Sequence, residues 1–235
     1  MKDNISFEII ARVHTDFSEK FGIPRQSGLV KNLKGKIVFE PKYRDISALK
    51  GMDGFSHLWL IWKFSEAVSE DWSPTVRPPR LGGNKRMGVF ATRAPYRPNP
   101  IGLSSVKIEK IELNTPEGPI IEVSGADMLD GTPIYDIKPY IAYTDSHPEA
   151  TGGFSEEVFE NCLKVEENED FKNIMPKDKY ESLLQILSFD PRPGYKEDSS
   201  RIYGLSFAGF EIKFTVFHGV LRIESITDEK RRKKI

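Results

Sequence analysis

Cysteine is all but missing. Cys162 stands alone in 235 residues, which excludes an internal disulfide and any metal site built from several thiolates. Histidine is nearly as scarce: His14, His57, His147 and His218 are scattered without ligand spacing, so no catalytic metal is expected. No apolar run approaches the roughly 20 residues that a membrane span needs. The N-terminal MKDNISFEII lacks the apolar core of a signal peptide, and the expected setting is the cytoplasm. Also absent are a Gly-x-Gly-x-x-Gly after a strand, a Gly-Lys-Ser/Thr loop and a Gly-x-Ser-x-Gly elbow. Neither common phosphate-cradling turn nor a hydrolase nucleophile elbow is therefore available.

Acidic side chains are missing from one long stretch. Ser73–Val106 contains none, although the chain as a whole balances 34 Lys and Arg against 35 Asp and Glu. The stretch carries Arg77, Arg80, Lys85, Arg86, Arg93 and Arg97. Stiff Pro74, Pro78, Pro79, Pro95, Pro98 and Pro100 alternate there with Gly82, Gly83, Gly88 and Gly102. Proline fixes φ, and glycine admits close backbone approach, so these cations are held in place before an anion arrives. Glu149–Asp170 is acid-rich, whereas Lys230–Lys234 is basic. Such asymmetry points to a polyanionic partner touching one face.

Strands dominate the first part. Phe7–Val13, Lys36–Phe39, Phe55–Phe64, Arg86–Thr92, Ile101–Leu113, Pro119–Gly125 and Pro133–Tyr140 all read as extended. In Phe55–Phe64, Leu58, Leu60, Trp62 and Phe64 share one face at period two. Many short strands with Pro/Gly turns predict a closed or nearly closed sheet up to about residue 145. The period then changes. Ser155–Val165 and Asp178–Phe189 read as helices, with Cys162 a buried thiol on the apolar face of the first. Strands at Ile202–Phe207, Phe210–Phe217 and Val220–Ile226, turning at Ala208-Gly209 and His218-Gly219, read as a meander. The expectation is a mostly β protein, α+β overall: a single-sheeted β-barrel over residues 1–145 and a smaller α+β domain over 146–235, with a possible role in RNA docking.

Arg93-Ala94-Pro95-Tyr96-Arg97-Pro98-Asn99-Pro100-Ile101-Gly102 resembles the signature of the TsaA-like family, called TrmO in bacteria. The resemblance extends to Pro24-Arg25-Gln26, Phe55-Ser56-His57-Leu58-Trp59, Arg77-Pro78-Pro79-Arg80-Leu81-Gly82-Gly83, Asp130-Gly131-Thr132-Pro133, Asp136-Ile137-Lys138-Pro139-Tyr140, Asp190-Pro191-Arg192-Pro193 and Tyr195. It thus spans nearly the whole chain with its words in order. It implies a homodimeric β-barrel enzyme that uses S-adenosylmethionine to methylate N6 of threonylcarbamoyl-adenosine at position 37 of threonine tRNA. For the cofactor it points to Pro24, Arg25, Gln26, His57, Leu58, Arg93, Leu103, Asp130, Gly131, Thr132 and Pro133.

The chemistry of these residues is compatible with that implication. Arg25 or Arg93 suits a methionyl carboxylate, and Asp130 accepts from a ribose or amino group. The modified adenosine has its own carboxylate, for which Arg97, Lys138 or Arg192 is a candidate cation. Tyr96, Tyr140 and Tyr195 are candidates for stacking on splayed bases, with Asn99 beside them. Arg77, Arg80, Lys85 and Arg86 suit phosphates. Asp130 and Asp136 are candidate acceptors for the amine hydrogen, although the sequence singles out no catalytic residue. Two other readings share these features: a non-catalytic RNA-binding module, and a methyltransferase of the same fold acting elsewhere.

Overall fold

The computed structural model describes residues 5–67, 71–81, 85–156, 162–192, 198 and 200–232, without the side chains of Arg80, Arg231 and Arg232. The chain forms two compact units. One comprises Met1–Thr15, Gln26–Trp72 and Pro95–Ser146; the other comprises Asp16–Arg25, Ser73–Ala94 and His147–Ile235. The basic stretch is therefore divided between them at Ala94 and Pro95.

In the first unit, strands β1 (Ala11–His14), β2 (Lys34–Phe39), β3 (His57–Lys63), β6 (Ile101–Glu112), β7 (Ile120–Ser124) and β8 (Thr132–Pro139) form a closed barrel in the order β1-β2-β7-β6-β3-β8. Closure comes from β8, which pairs antiparallel with β3 on one side and β1 on the other. Alternation fills the interior. Val13, Ile37, Leu58, Leu60, Trp62, Val106, Ile121, Val123 and Ile134 point inward and join one core with Ala11, Phe39, Leu49, Ala126 and Met128. Gly102 faces Trp62 across the β3–β6 ladder, and a Cβ there would lie 2.2 Å from the indole ring. The barrel packs an aromatic plate on a bare backbone at this point.

One irregularity decides which β8 side chains face outward. Trp62 pairs with Ile134, but Ile61 pairs with Asp136, so Tyr135 is an extra residue. A one-residue insertion reverses the alternation that follows. Asp136, Lys138 and Tyr140 thereby join the outer phase, and Ile137 packs against the core.

In the second unit, β10 (Tyr203–Phe207), β11 (Phe210–Phe217) and β12 (Val220–Asp228) form the expected meander. Its two-residue turns have positive φ at Ala208 and Gly209 and at His218 and Gly219, the conformation that a tight hairpin demands. An additional strand, β9 (Lys164–Glu166), lies parallel to β12. Helix α2 (Lys177–Ser188) buries Tyr180, Leu183, Ile186 and Leu187, close to the predicted span. Short α1 (Ala142–Asp145) and α3 (Glu229–Arg232) lie at the ends of the two units. Phe17 is buried in this second unit, with its ring 5.3 Å from that of Phe207. Strands β4 (Thr75–Val76) and β5 (Met87–Gly88) make a separate small hairpin.

Several expectations require correction. Phe7 is exposed, and β1 is shorter than Phe7–Val13. Arg86–Thr92 keeps only Met87–Gly88 as strand and then turns through a 3-10 segment, Val89–Ala91. The predicted helix Ser155–Val165 falls partly on residues 157–161, outside the described set. Its flanks are a 3-10 turn at Gly153–Ser155 and strand β9. Cys162 is exposed rather than buried on a helix face. Lys164-Val165-Glu166 alternates, and this short polar–apolar–polar word suits a sheet edge.

Candidate functional site

The site is built by strand register at one end of the barrel. Here β1 and β3 finish while β6 and β8 begin. Lys63 pairs with Ile101, and Phe64 N–H donates to the Pro100 carbonyl at 2.9 Å. Val13 pairs with Thr132. The segment Tyr96-Arg97-Pro98-Asn99 and the turn Asp130-Gly131 thus reach the same end of the barrel. Tyr96 is 53 % exposed, and Leu103, the first exposed residue of β6, is 57 % exposed. Thr132 and Pro133 are buried, so their side chains are withdrawn from solvent.

Strand β1 holds the Asp130 turn from beneath. The Gly131 N–H donates to Val13 O at 2.9 Å, and Arg12 Nη1 donates to Gly131 O at 3.2 Å while its Nε pairs with Glu40. Asp130 Oδ1 accepts from Thr15 N–H at 3.0 Å and lies 3.1 Å from His14 Nδ1. Both contacts fall on one oxygen. Among the described residues, nothing donates to Oδ2. Asp136 differs: its Oδ1 accepts from the Ile137 N–H, and its Oδ2 pairs with Lys138 Nζ at 2.8 Å. Of the two candidate acceptors, Asp130 keeps the open oxygen, and Lys138 has its charge matched.

His57, Lys138 and Tyr140 gather toward the opposite end. Tyr140 N–H donates to His57 O at 3.0 Å, and the Tyr140 ring lies 5.5 Å from Trp59 and 6.1 Å from His57. Trp59 Nε1 donates to Asp145, and Ser56 Oγ lies 2.9 Å from His57 Nδ1. The Leu58 side chain is wholly inside the core. The five strand steps from His57 to Trp62 span about 16 Å. Within one chain, the His57 cluster and the Asp130 end are separate places on the barrel.

The second unit carries the other predicted cations. Pro24 is buried and Arg25 exposed, with Arg25 Nη2 donating to the Arg192 carbonyl. Arg192 makes a bidentate pair with Asp190, both contacts at 2.8 Å, and its guanidinium lies 6.0 Å from the Tyr203 ring centre. This pairing raises the Arg192 pKa above its ordinary value. Arg77, Arg86 and Arg93 are exposed, and Arg86 donates to Thr75 Oγ1 at 2.9 Å. Tyr195 and the Arg80 side chain lie outside the described residues. In the barrel unit, Gln26 is half-buried beside Ser27, whose Oγ accepts from the Ser105 N–H.

Two features escaped the sequence reading. His14 reaches Asp130 only because β1 ends beside the start of β8. Trp62 Nε1 donates to Ser104 Oγ at 3.0 Å, which donates to Asp127 Oδ1 at 2.7 Å, fixing the loop that delivers Asp130. The signal for the second was present: Ser104 occupies an inward position of an alternating strand, and a buried hydroxyl there needs a partner. Among the described residues, no group of three or more His, Cys, Asp or Glu is arranged to hold a metal ion, and no helix is long and apolar enough to cross a membrane.

Comparison with known proteins places this geometry. The tRNA-methyltransferase O N-terminal domain matches residues 12–146, and the TrmO C-terminal domain matches 153–229. The tRNA (adenine(37)-N6)-methyltransferase of Escherichia coli K12 is 35 % identical over 221 residues, covering 91 % of this chain and 94 % of the relative. A putative S-adenosylmethionine-dependent methyltransferase of Pseudomonas aeruginosa, RcsF, is 38 % identical over 204 residues, covering 83 % and 86 %. A crystal structure of TrmO from P. aeruginosa superposes with a TM-score of 0.78 at 30 % identity, covering 97 % of this chain and 99 % of that one. With both domain families in order, a six-stranded barrel and the acceptor turn at its rim, the chain belongs to the tRNA-methyltransferase O (TrmO) family.

Proposed function

We propose that this protein is an S-adenosylmethionine-dependent tRNA methyltransferase, acting on N6 of threonylcarbamoyl-adenosine at position 37 of threonine tRNA in the cytoplasm. The observation that carries the proposal is the Asp130 turn, fixed by β1 with one carboxylate oxygen open, at the same barrel end as the Tyr96–Asn99 segment. The donor set fits the cofactor: Asp130 Oδ2 is an acceptor for a ribose hydroxyl or amino group. Exposed Leu103 is an apolar surface, and Gly131, at φ 74°, leaves the backbone uncovered by a Cβ.

When bound, S-adenosylmethionine supplies an electrophilic methyl group on a sulfonium. The protein's own task is to align the amine with that methyl and to exclude water. A strong base is not required, because an alkylated amine loses its proton readily. In this reading Tyr96 and Arg97 meet the modified adenosine, with Arg97 matching its carboxylate. Exposed Arg77 and Arg86 suit the phosphates. Arg192 is a strut of the second unit, since its charge is already matched by Asp190.

The separation of His57 and Tyr140 from the Asp130 end supports a homodimer, in which a second copy completes each site. Mass spectrometry of nucleosides from tRNA incubated with protein and S-adenosylmethionine tests the function. The expected product is a methyl group on threonylcarbamoyl-adenosine alone. Methylation of any other nucleoside, or none, overturns the assignment.

A further inference from the structure

Phe90 is 74 % exposed, on the 3-10 turn Val89–Ala91 that follows the β4–β5 hairpin. A single exposed ring on a loose loop needs no explanation. This one is held from both sides. Val89 is 1 % exposed, and its N–H donates to Pro74 O at 2.9 Å. Its carbonyl accepts from both the N–H and Oγ1 of Thr92, and Thr92 Oγ1 accepts in turn from the Ala94 N–H. Before the turn, Thr75 pairs with Gly88, Val76 pairs with Met87, and Arg86 donates to Thr75 Oγ1. The ring therefore stands on a backbone whose position is fixed by its neighbours.

The sequence around it is basic. Arg86 lies four residues before Phe90 and Arg93 three after it, both exposed, with Arg77 and Lys85 on the same hairpin. No Asp or Glu occurs from Ser73 to Val106. A fixed, exposed aromatic ring among cations is the arrangement that binds single-stranded nucleic acid, with the ring taking a base and the cations the backbone.

Resting on the tRNA methyltransferase reading, we infer that Phe90 is a stacking platform for an unpaired nucleobase of the substrate's anticodon loop. The ring adds substrate affinity without touching the cofactor. The test measures binding of a fluorescent anticodon stem-loop RNA to the full-length protein. Phe90→Ala is expected to weaken binding about ten-fold, whereas Phe90→Tyr and Phe90→Trp keep it. Phe90→Leu, which is apolar but has no π face, is expected to behave like Phe90→Ala. The slope of affinity against salt stays unchanged in Phe90→Ala and falls by about one in Arg86→Ala. Replacing the stacked base by an abasic site should abolish the difference between wild type and Phe90→Ala.

Unchanged RNA affinity in Phe90→Ala, or wild-type affinity in Phe90→Leu, overturns the inference. So does a ten-fold loss of S-adenosylmethionine binding in Phe90→Ala by calorimetry, which would give the ring to the cofactor. A changed sedimentation coefficient would give it to an interface between copies. Failure of the wild type itself to bind the RNA overturns the underlying functional reading, a distinct result.

Discussion

At the scale of single residues, two positions bear unequal loads. Gly102 admits the Trp62 ring at a distance that no Cβ tolerates. Gly102→Ala is expected to cost about 3 kcal/mol in urea denaturation, as overpacking of a closed core does. Its neighbour Leu103 faces outward, so Leu103→Ala should leave stability nearly unchanged and lower cofactor affinity. Asp190 sits at φ 49° and carries the bidentate pair to Arg192, whose side chain is 15 % exposed. Asp190→Ala leaves a largely covered guanidinium without its anion and should cost about 2 kcal/mol. Arg192→Ala should disturb RNA affinity far less than Arg86→Ala, because the Asp190–Arg192 pair presents little net charge. An equal loss in the two variants would return Arg192 to the RNA surface.

At the scale of elements, the β9–β12 pairing carries a titrating tie. Arg222 Nε donates to Glu166 at 2.7 Å, and this hydrogen bond, followed by the attraction of the two charges, lowers the Glu166 pKa below its ordinary 4.5. A carboxyl depressed in the folded state stabilises above the unfolded value and loses that contribution as pH falls through the lower folded value. Hydrogen exchange of β9 amides should therefore accelerate below pH 4.5, and Glu166→Gln should remove that dependence. The pair is solvent-exposed, so the effect should be small and fade in high salt. The parallel edge strand itself was not legible in the sequence, because three alternating residues beside an acidic run carry almost no periodic signal. The meander was legible. Ala208-Gly209 and His218-Gly219 are turn words, and strands of five to nine residues alternate around them. Leu58, Leu60 and Trp62 announced the inward face of β3 for the same reason. The bulge at Tyr135 was hidden, since Pro133–Tyr140 reads as an unbroken strand and only the partner's register exposes the extra residue. That concealment also hid which side of the barrel Asp136 and Lys138 occupy, and hence that they pair with each other.

At the scale of the whole molecule, the two units interleave along the chain. The segments Asp16–Arg25 and Ser73–Ala94 are grouped with the C-terminal residues. Local propensity cannot reveal this, because the partners of Phe17 and Asp16 are Phe207 and Lys179, far along the sequence. A fragment ending at residue 145 should thus expose Phe17, bind a hydrophobic dye and be cleaved within 16–25. A protease-resistant fragment with a sharp melting transition would contradict this. RNA binding should weaken steeply with salt, and Arg77→Ala and Arg86→Ala should each reduce the slope by about one.

The same interleaving sets an order of events on the ribosome. When residue 25 has emerged, the surface that will cover Phe17 is still some 180 residues from being made. At ordinary elongation rates that interval lasts about 10–40 s. During translation the nascent chain must therefore hold an uncovered benzyl ring, which makes this stretch the natural place for a chaperone to grip.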